Sequence, residues 1–229
     1  MPRAVWARRW SASTWPTWPR RTVSPSAVGD PRPVTTRPVG VLALQGDFRE
    51  HIEVLRALGA EAVGVRRPEE LAEVGGLIIP GGESTVIDKL SRTFGLAEPL
   101  KAAIARGLPV WGTCAGLIML ADRISDGIEG QQTLGGLDIE VRRNAFGSQS
   151  ASFEVDLEMP VLGDPPLHAV FIRAPVVEAV GAGVRVLAQL DDARIVAVEQ
   201  GSLLGTSFHP EITGDYRFHE YFLDRVAAQ

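Results

Sequence analysis

The chain has 229 residues, 45% of them hydrophobic and 22% charged, ordinary values for a soluble globular protein with one α/β domain or two small ones. The net charge is −5; up to Pro38 seven arginines stand against one acid, so the remainder carries −11, which argues against a broad phosphate-binding surface and a nucleic-acid partner. A single cysteine excludes an intramolecular disulfide, the apolar runs fall far short of the roughly 20 residues of a membrane helix, and no secretory apolar stretch follows the first arginines, so a cytoplasmic protein with no membrane partner is expected.

Residues 1–37 read unlike the rest. Trp6, Trp10, Trp15 and Trp18 are interleaved with Arg, Ser, Thr and Pro, and no helical or strand period is sustained. The basic, acid-poor character has the look of a transit peptide. It also suits a disordered tail, or an upstream stretch included by a wrongly assigned start codon, and the segment is kept out of the fold expectation. From residue 38 onward the chain alternates. A strand over 39–45 is followed by a helix carrying Ile52, Leu55 and Leu58 and ending at Gly59. Strands follow over 60–65 and 76–80, helices around 86–90 and 96–105, a strand over 108–113, and a helix from Cys114 through Leu120. Short, fully apolar strands separated by helices indicate a mostly parallel sheet covered on both faces, a three-layer α/β/α domain over 38–229. Right-handed crossovers put the loops after the strands on one edge, where a ligand would sit. The second half is richer in strands, over 137–141, 153–157, 169–172, 185–190, 195–199 and 203–208, and an amphipathic helix over 214–227 closes the chain.

Three stretches carry chemistry. Gly112-Thr113-Cys114-Ala115-Gly116 joins a buried strand to a helix. A nucleophile on so sharp a turn needs small neighbours, the helix N-terminus behind it favours a thiolate, and the Ala115 N–H points toward an oxyanion formed on attack. A buried, inert cysteine would have the same local signature. In His209-Pro210-Glu211 the i, i+2 spacing of an extended segment puts imidazole and carboxylate on one side, which suits a triad if the preceding strand runs parallel to the others. A surface turn at a helix start is the competing reading. Pro80-Gly81-Gly82-Glu83-Ser84 offers glycine backbone N–H groups to an oxyanion or carboxylate, or is a plain strand-to-helix turn.

With Leu44-Gln45-Gly46-Asp47, Arg49-Glu50-His51, Arg143-Asn144-Ala145-Phe146-Gly147 and Phe171-Ile172-Arg173-Ala174-Pro175, these motifs resemble the glutaminase subunits of pyridoxal 5'-phosphate synthase, within the class I glutamine amidotransferases. The resemblance spans residues 39–226. It implies a class I amidotransferase fold, flavodoxin-like in its layers, and hydrolysis of L-glutamine to glutamate and ammonia. Cys114 would be the nucleophile, His209 the base and acid, and Glu211 its orienter. Gly82, Glu83, Ser84, Arg143, Ile172 and Arg173 would contact the substrate, and Gly82 and Ala115 would form the oxyanion hole. Guanidinium groups suit the α-carboxylate of a free amino acid. No metal or bound cofactor is implied; the partner would be a (β/α)8-barrel synthase subunit that receives the ammonia. The same triad serves the glutaminase of imidazole glycerol phosphate synthase, against which the 142–147 and 171–175 stretches argue. In a DJ-1/PfpI-like cysteine hydrolase a histidine commonly follows the cysteine, where Ala115 stands here. The resemblance suggests that the region of His51 faces the partner, while an exposed helix histidine is the competing reading. His168 and His219 read as structural or solvated.

Overall fold

The computed structural model describes residues 8–10, 36–145 and 152–229. Four parallel strands come first: β2 (Val39–Leu42), β3 (Ala62–Val65), β4 (Gly76–Ile79) and β5 (Val110–Thr113). They follow β1 (Arg8–Trp10), a three-residue strand on the edge of a small second sheet. Helices α1 (Phe48–Ala57), α2 (Pro68–Ala72), α3 (Ser84–Thr93) and α4 (Ala97–Ala105) make the crossovers, and α5 (Ala115–Leu120) leaves β5 directly. The rest of the chain holds β6 (Ala121–Ile124), β7 (Leu137–Arg142), β8 (Ser152–Leu157), β9 (Leu167–Phe171), β10 (Val176–Val180), β11 (Arg185–Gln189), β12 (Ile195–Gln200), β13 (Leu203–Thr206) and α6 (Arg217–Ala227).

The large sheet runs β3-β2-β4-β5-β13-β12-β10-β7-β6, with β11 on β12. Its parallel part ends at β13, and β12, β10 and β7 extend it in antiparallel fashion. The three-layer α/β expectation holds. Alternation along the strands assigns the two cores: Leu77, Ile79 and Val110 point to the side of α2–α5, whereas Ile78 and Trp111 point to the side of α1 and α6. Every residue of β4 and β5 is buried, as strands covered on both faces require.

Besides β1, three elements lie outside the expectation from sequence. Helix α2 is a five-residue turn started by Pro68, with the Glu70 carboxylate accepting from the Arg67 N–H at 3.1 Å. Strand β6 follows α5 without a break, and its two central residues are exposed. Strand β10 buries only Val176 and Val177, so it lacks a full apolar period.

No core residue among those described precedes Val39. The β1–β8 pairing covers three residues only. We propose that residues 1–37 stand outside the α/β domain of residues 38–229. A chain beginning at Thr36 is expected to keep its melting temperature within a degree or two, because pairing so short contributes little. Thermal unfolding checks this, and a loss of several degrees or aggregation would show the N-terminal segment packed onto the domain.

Candidate active site

The parallel pairing of β13 with β5 sets Thr206 opposite Thr113, so the residues after both strands leave the sheet at one edge. The Cys114 N–H donates to the Thr206 carbonyl at 2.7 Å, and the His209 N–H to the Val170 carbonyl at 2.9 Å. Three strand ends thereby hold both side chains. Cys114 has φ 49° and ψ −102°, a conformation that side chains other than glycine rarely adopt and that costs about 1–3 kcal/mol. The turn fits because its neighbours are small. A Cβ on Gly116 would lie 2.0 Å from the Ile79 carbonyl oxygen, and one on Gly112 would run into the Gly116 backbone.

His209 is buried with its Nδ1 2.7 Å from Glu211 Oε1, and the Cys114 sulfur is near enough to interact with it electrostatically. Burial alone would lower its pKa, but the Glu211 carboxylate and the Cys114 sulfur outweigh that and hold it well above the ordinary imidazole range. For Glu211 burial acts upward, and His51, His209 and the hydrogen bond from His209 pull it down to about 2. The pair therefore persists as carboxylate and imidazolium at neutral pH. Asp47 Oδ2 lies 3.5 Å from His209 Nδ1; burial raises the pKa of this carboxyl. Asp47, His209 and Glu211 could in composition hold a metal. At 2.7 Å, however, His209 and Glu211 share a proton, whereas two ligands of one zinc at tetrahedral angles stand roughly 3.3 Å apart, given bonds of about 2.0 Å.

The loop after β4 faces this pair. A Cβ on Gly81 would meet His209 Cε1 at 2.4 Å, and Gly82 has φ 148°, so both positions need glycine. The Glu83 N–H donates to Gln45 Oε1 at 2.8 Å, and the Gly81 carbonyl accepts from the Asp47 N–H at 3.2 Å, which ties the loop to the 44–47 turn. Gly82, Glu83, Ser84, Arg143, Ile172 and Arg173 line one cleft with Cys114 and Ala115. Arg143 donates to Glu83 Oε1 at 2.8 Å and to Gln131 Oε1 at 3.0 Å, and Gln131 donates to Ser84 Oγ at 3.1 Å. The Ile172 carbonyl lies 3.9 Å from Cys114 Sγ. Exposed Arg173, at φ 46°, makes no ion pair among the described residues. Phe146 and Gly147 lie outside the described residues.

Reasoning from sequence missed Ile118 and Asn144 in the cleft, and Gln45 and Gln131 as its supports. Gln45 sits inside a motif already singled out. Gln131 carries no local signal, since it is placed by the Gln132 N–H donating to the buried Asp88 carboxylate on α3. His51 is neither exposed nor at an outer surface: it is fully buried beneath the site. His219 is buried beside it, whereas His168 sits between Glu154 and Asp156 on the small sheet. A second cleft, of about 400 Å³, lies at the opposite edge below the N-terminal ends of β4 and β5. Its Arg37 is spent on the carbonyls of Ala72 and Glu73.

A strained cysteine at a strand–helix turn, beside a buried histidine–carboxylate pair on a mostly parallel sheet, defines a glutamine amidotransferase architecture. A solved structure described as a glutamine amidotransferase shares it, with a TM-score of 0.77 and 52% identity over 83% of this chain and 99% of that one. The chain belongs to the SNO glutamine amidotransferase family, which matches residues 41–228. Among curated relatives, pyridoxal 5'-phosphate synthase subunit PdxT of Leifsonia xyli subsp. xyli is 71% identical over 188 residues, 82% of this chain and 95% of that protein. PdxT of Clavibacter michiganensis subsp. michiganensis is 69% identical over 188 residues, 82% of this chain and 90% of its own length.

Proposed function

We propose that the chain hydrolyses L-glutamine to L-glutamate and ammonia, and that the ammonia passes to a partner synthase subunit for pyridoxal 5'-phosphate synthesis. The observation that carries this reading is the meeting of Cys114, His209 and Glu211 at a cleft edged by arginines, in a chain of the amidotransferase family. Cys114 Sγ, its proton held by His209, attacks the carboxamide carbon, and the carbonyl electrons move onto oxygen. The Ala115 N–H faces that oxyanion, and the Gly82 N–H joins it once the Gly81–Gly82 peptide is turned toward the cleft. His209 protonates the departing nitrogen as the C–N bond breaks, then accepts a proton from the water that cleaves the thioester. Glu83, still 44% exposed beside Arg143, suits the substrate's α-ammonium, and the arginines suit its α-carboxylate. The site asks for no metal or cofactor. The partner is proposed to be a (β/α)8 barrel docked over this edge, and the setting to be cytoplasmic. No helix among the described residues is long and apolar enough to cross a membrane. Ammonia release from glutamine, measured for the chain alone and with the synthase subunit, tests the reading; no release in either condition overturns it.

Glu211→Gln is expected to be milder than His209→Asn, which removes acid and base together. Its pH dependence has a definite sign. The raised pKa of His209 means that the imidazolium is present below that value and lost as pH rises through it, and Glu211 is the first contribution sustaining it against burial. Without that charge the alkaline limb of kcat/KM is expected to move to lower pH. A profile of wild-type height and position would remove Glu211 from the triad.

A further inference from the structure

Beneath the triad lies a second buried polar pair that the reaction scheme does not use. His51, on the first turn of α1, places Nδ1 2.9 Å from Nε2 of His219 on α6. Its own Nε2 stands 3.3 Å from Thr113 Oγ1 and 3.5 Å from Glu211 Oε2. Both rings are wholly buried and pack edge-on against Trp111. Glu211 Oε2, the oxygen that His209 leaves unused, is buried with no hydrogen-bond donor within ordinary reach among the described residues.

The tautomers follow from this arrangement. Burial pushes the pKa of both rings down, against the opposing pull of Glu211, so both are neutral and one proton lies between His51 Nδ1 and His219 Nε2. If His51 Nδ1 held it, the Nε2 lone pair would face an anionic oxygen, and His219 Nδ1–H would be a buried donor without an acceptor. If His219 Nε2 holds it, His51 carries its proton on Nε2, between Thr113 Oγ1 at 3.3 Å and Glu211 Oε2 at 3.5 Å, and only the lone pair of His219 Nδ1 goes unmet. A buried orphan lone pair is less costly than a buried orphan N–H. The second arrangement wins. At 3.5 Å the contact is long for a hydrogen bond; it acts as an N–H dipole aimed at a buried charge, which weakly screened surroundings make effective.

We infer that His51, oriented by His219, is a positioning residue for Glu211, its Nε2–H steadying the carboxylate that in turn orients His209. This rests on the triad reading above. Through it, two helices of the α1–α6 layer, neither of which lines the cleft, take part in setting the catalytic histidine. The groups facing the His209–Glu211 pair are Cys114 from the β5–α5 turn, Asp47 before α1 with Glu50 beside it, His51 on α1 and His219 on α6. Asp47 and Glu50 remain in every variant below, so a change in pH profile is assignable to the buried pair.

The test uses His51→Met, His51→Gln and His219→Phe in the full chain, assayed with the synthase subunit. His51→Met is expected to lower kcat about 10- to 100-fold, the scale of a misplacement approaching 1 Å, with KM little changed. A loosened Glu211 sustains the imidazolium less well, so the alkaline limb should move to lower pH. His51→Gln returns an N–H near the Nε2 position and should restore both height and limb. Should His51→Met fail to fold, His219→Phe keeps the aromatic packing and removes the donor that orients His51; it should show a smaller fall with the same movement of the limb. A profile scaled down without movement of the limb, or His51→Gln no better than His51→Met, would mean that the pair only packs and would overturn the proposal. Glu211→Gln, run alongside, separates the two readings. If it is unimpaired the triad assignment fails, whereas if it is impaired while His51→Met and His219→Phe are not, only the role of His51 fails.

Discussion

Cys114→Ala is expected to bring glutaminase turnover to background and abolish thioester formation, while the protein stays folded. Loss of one member of a nucleophile–base unit costs on the order of 10⁶-fold in comparable triads, because the remaining groups have nothing to activate. The structural cost is small by contrast. One sulfur atom leaves a site already open to the cleft, and alanine meets the same backbone strain at φ 49° as cysteine, so stability should change by no more than about 1 kcal/mol. Synthesis by the complex should return when ammonium salts replace glutamine, since the chemistry at the partner is untouched. Substantial ammonia release from glutamine by the purified variant would show that another group is the nucleophile.

The second large effect concerns the partner. The chain alone is expected to turn over glutamine roughly 100- to 1000-fold more slowly than in the presence of saturating synthase subunit, the cost of one missing oxyanion-hole donor. The argument rests on the peptide between Gly81 and Gly82. Its carbonyl accepts from the Asp47 N–H at 3.2 Å, and a planar trans peptide points the Gly82 N–H the opposite way. Asp47 belongs to the turn leading into α1, and Gln45 of the same turn holds the Glu83 N–H. A partner that shifts this turn can release or re-aim the donor, and two glycines let the peptide rotate at little steric cost. Ammonia set free without an acceptor protonates and diffuses away, so a subunit poised in this manner wastes less glutamine. Steady-state ammonia release at fixed glutamine, with and without the synthase subunit, reads the effect directly. Equal rates would exclude the switch and leave a constitutive glutaminase whose partner only collects the product.

The sequence by itself determined the layers of the fold and pointed to the residues proposed to react. Apolar strands of four or five residues between helices admit few arrangements other than a covered parallel sheet, and β2 to β5 lie as that pattern requires. The cysteine turn and the i, i+2 histidine and glutamate were legible because their chemistry depends on local backbone geometry, which short-range spacing encodes. What lay between the motifs was decided only by the tertiary structure. Whether His209 meets Cys114 turned on the parallel pairing of β13 with β5, a contact between segments some ninety residues apart that no local period records. Two strands of the later half of the sheet were equally silent, since β6 and β10 expose much of their length and carry no full apolar alternation. His51 shows the difference most plainly. On a helix it reads as a surface residue, yet it is buried because α6, at the far end of the chain, brings His219 against it and Trp111 of β5 packs edge-on against both rings. Burial and hydrogen-bond partnership are properties of the assembled neighbourhood, so the groups packed beneath the proposed triad became visible only once distant elements were assembled around it.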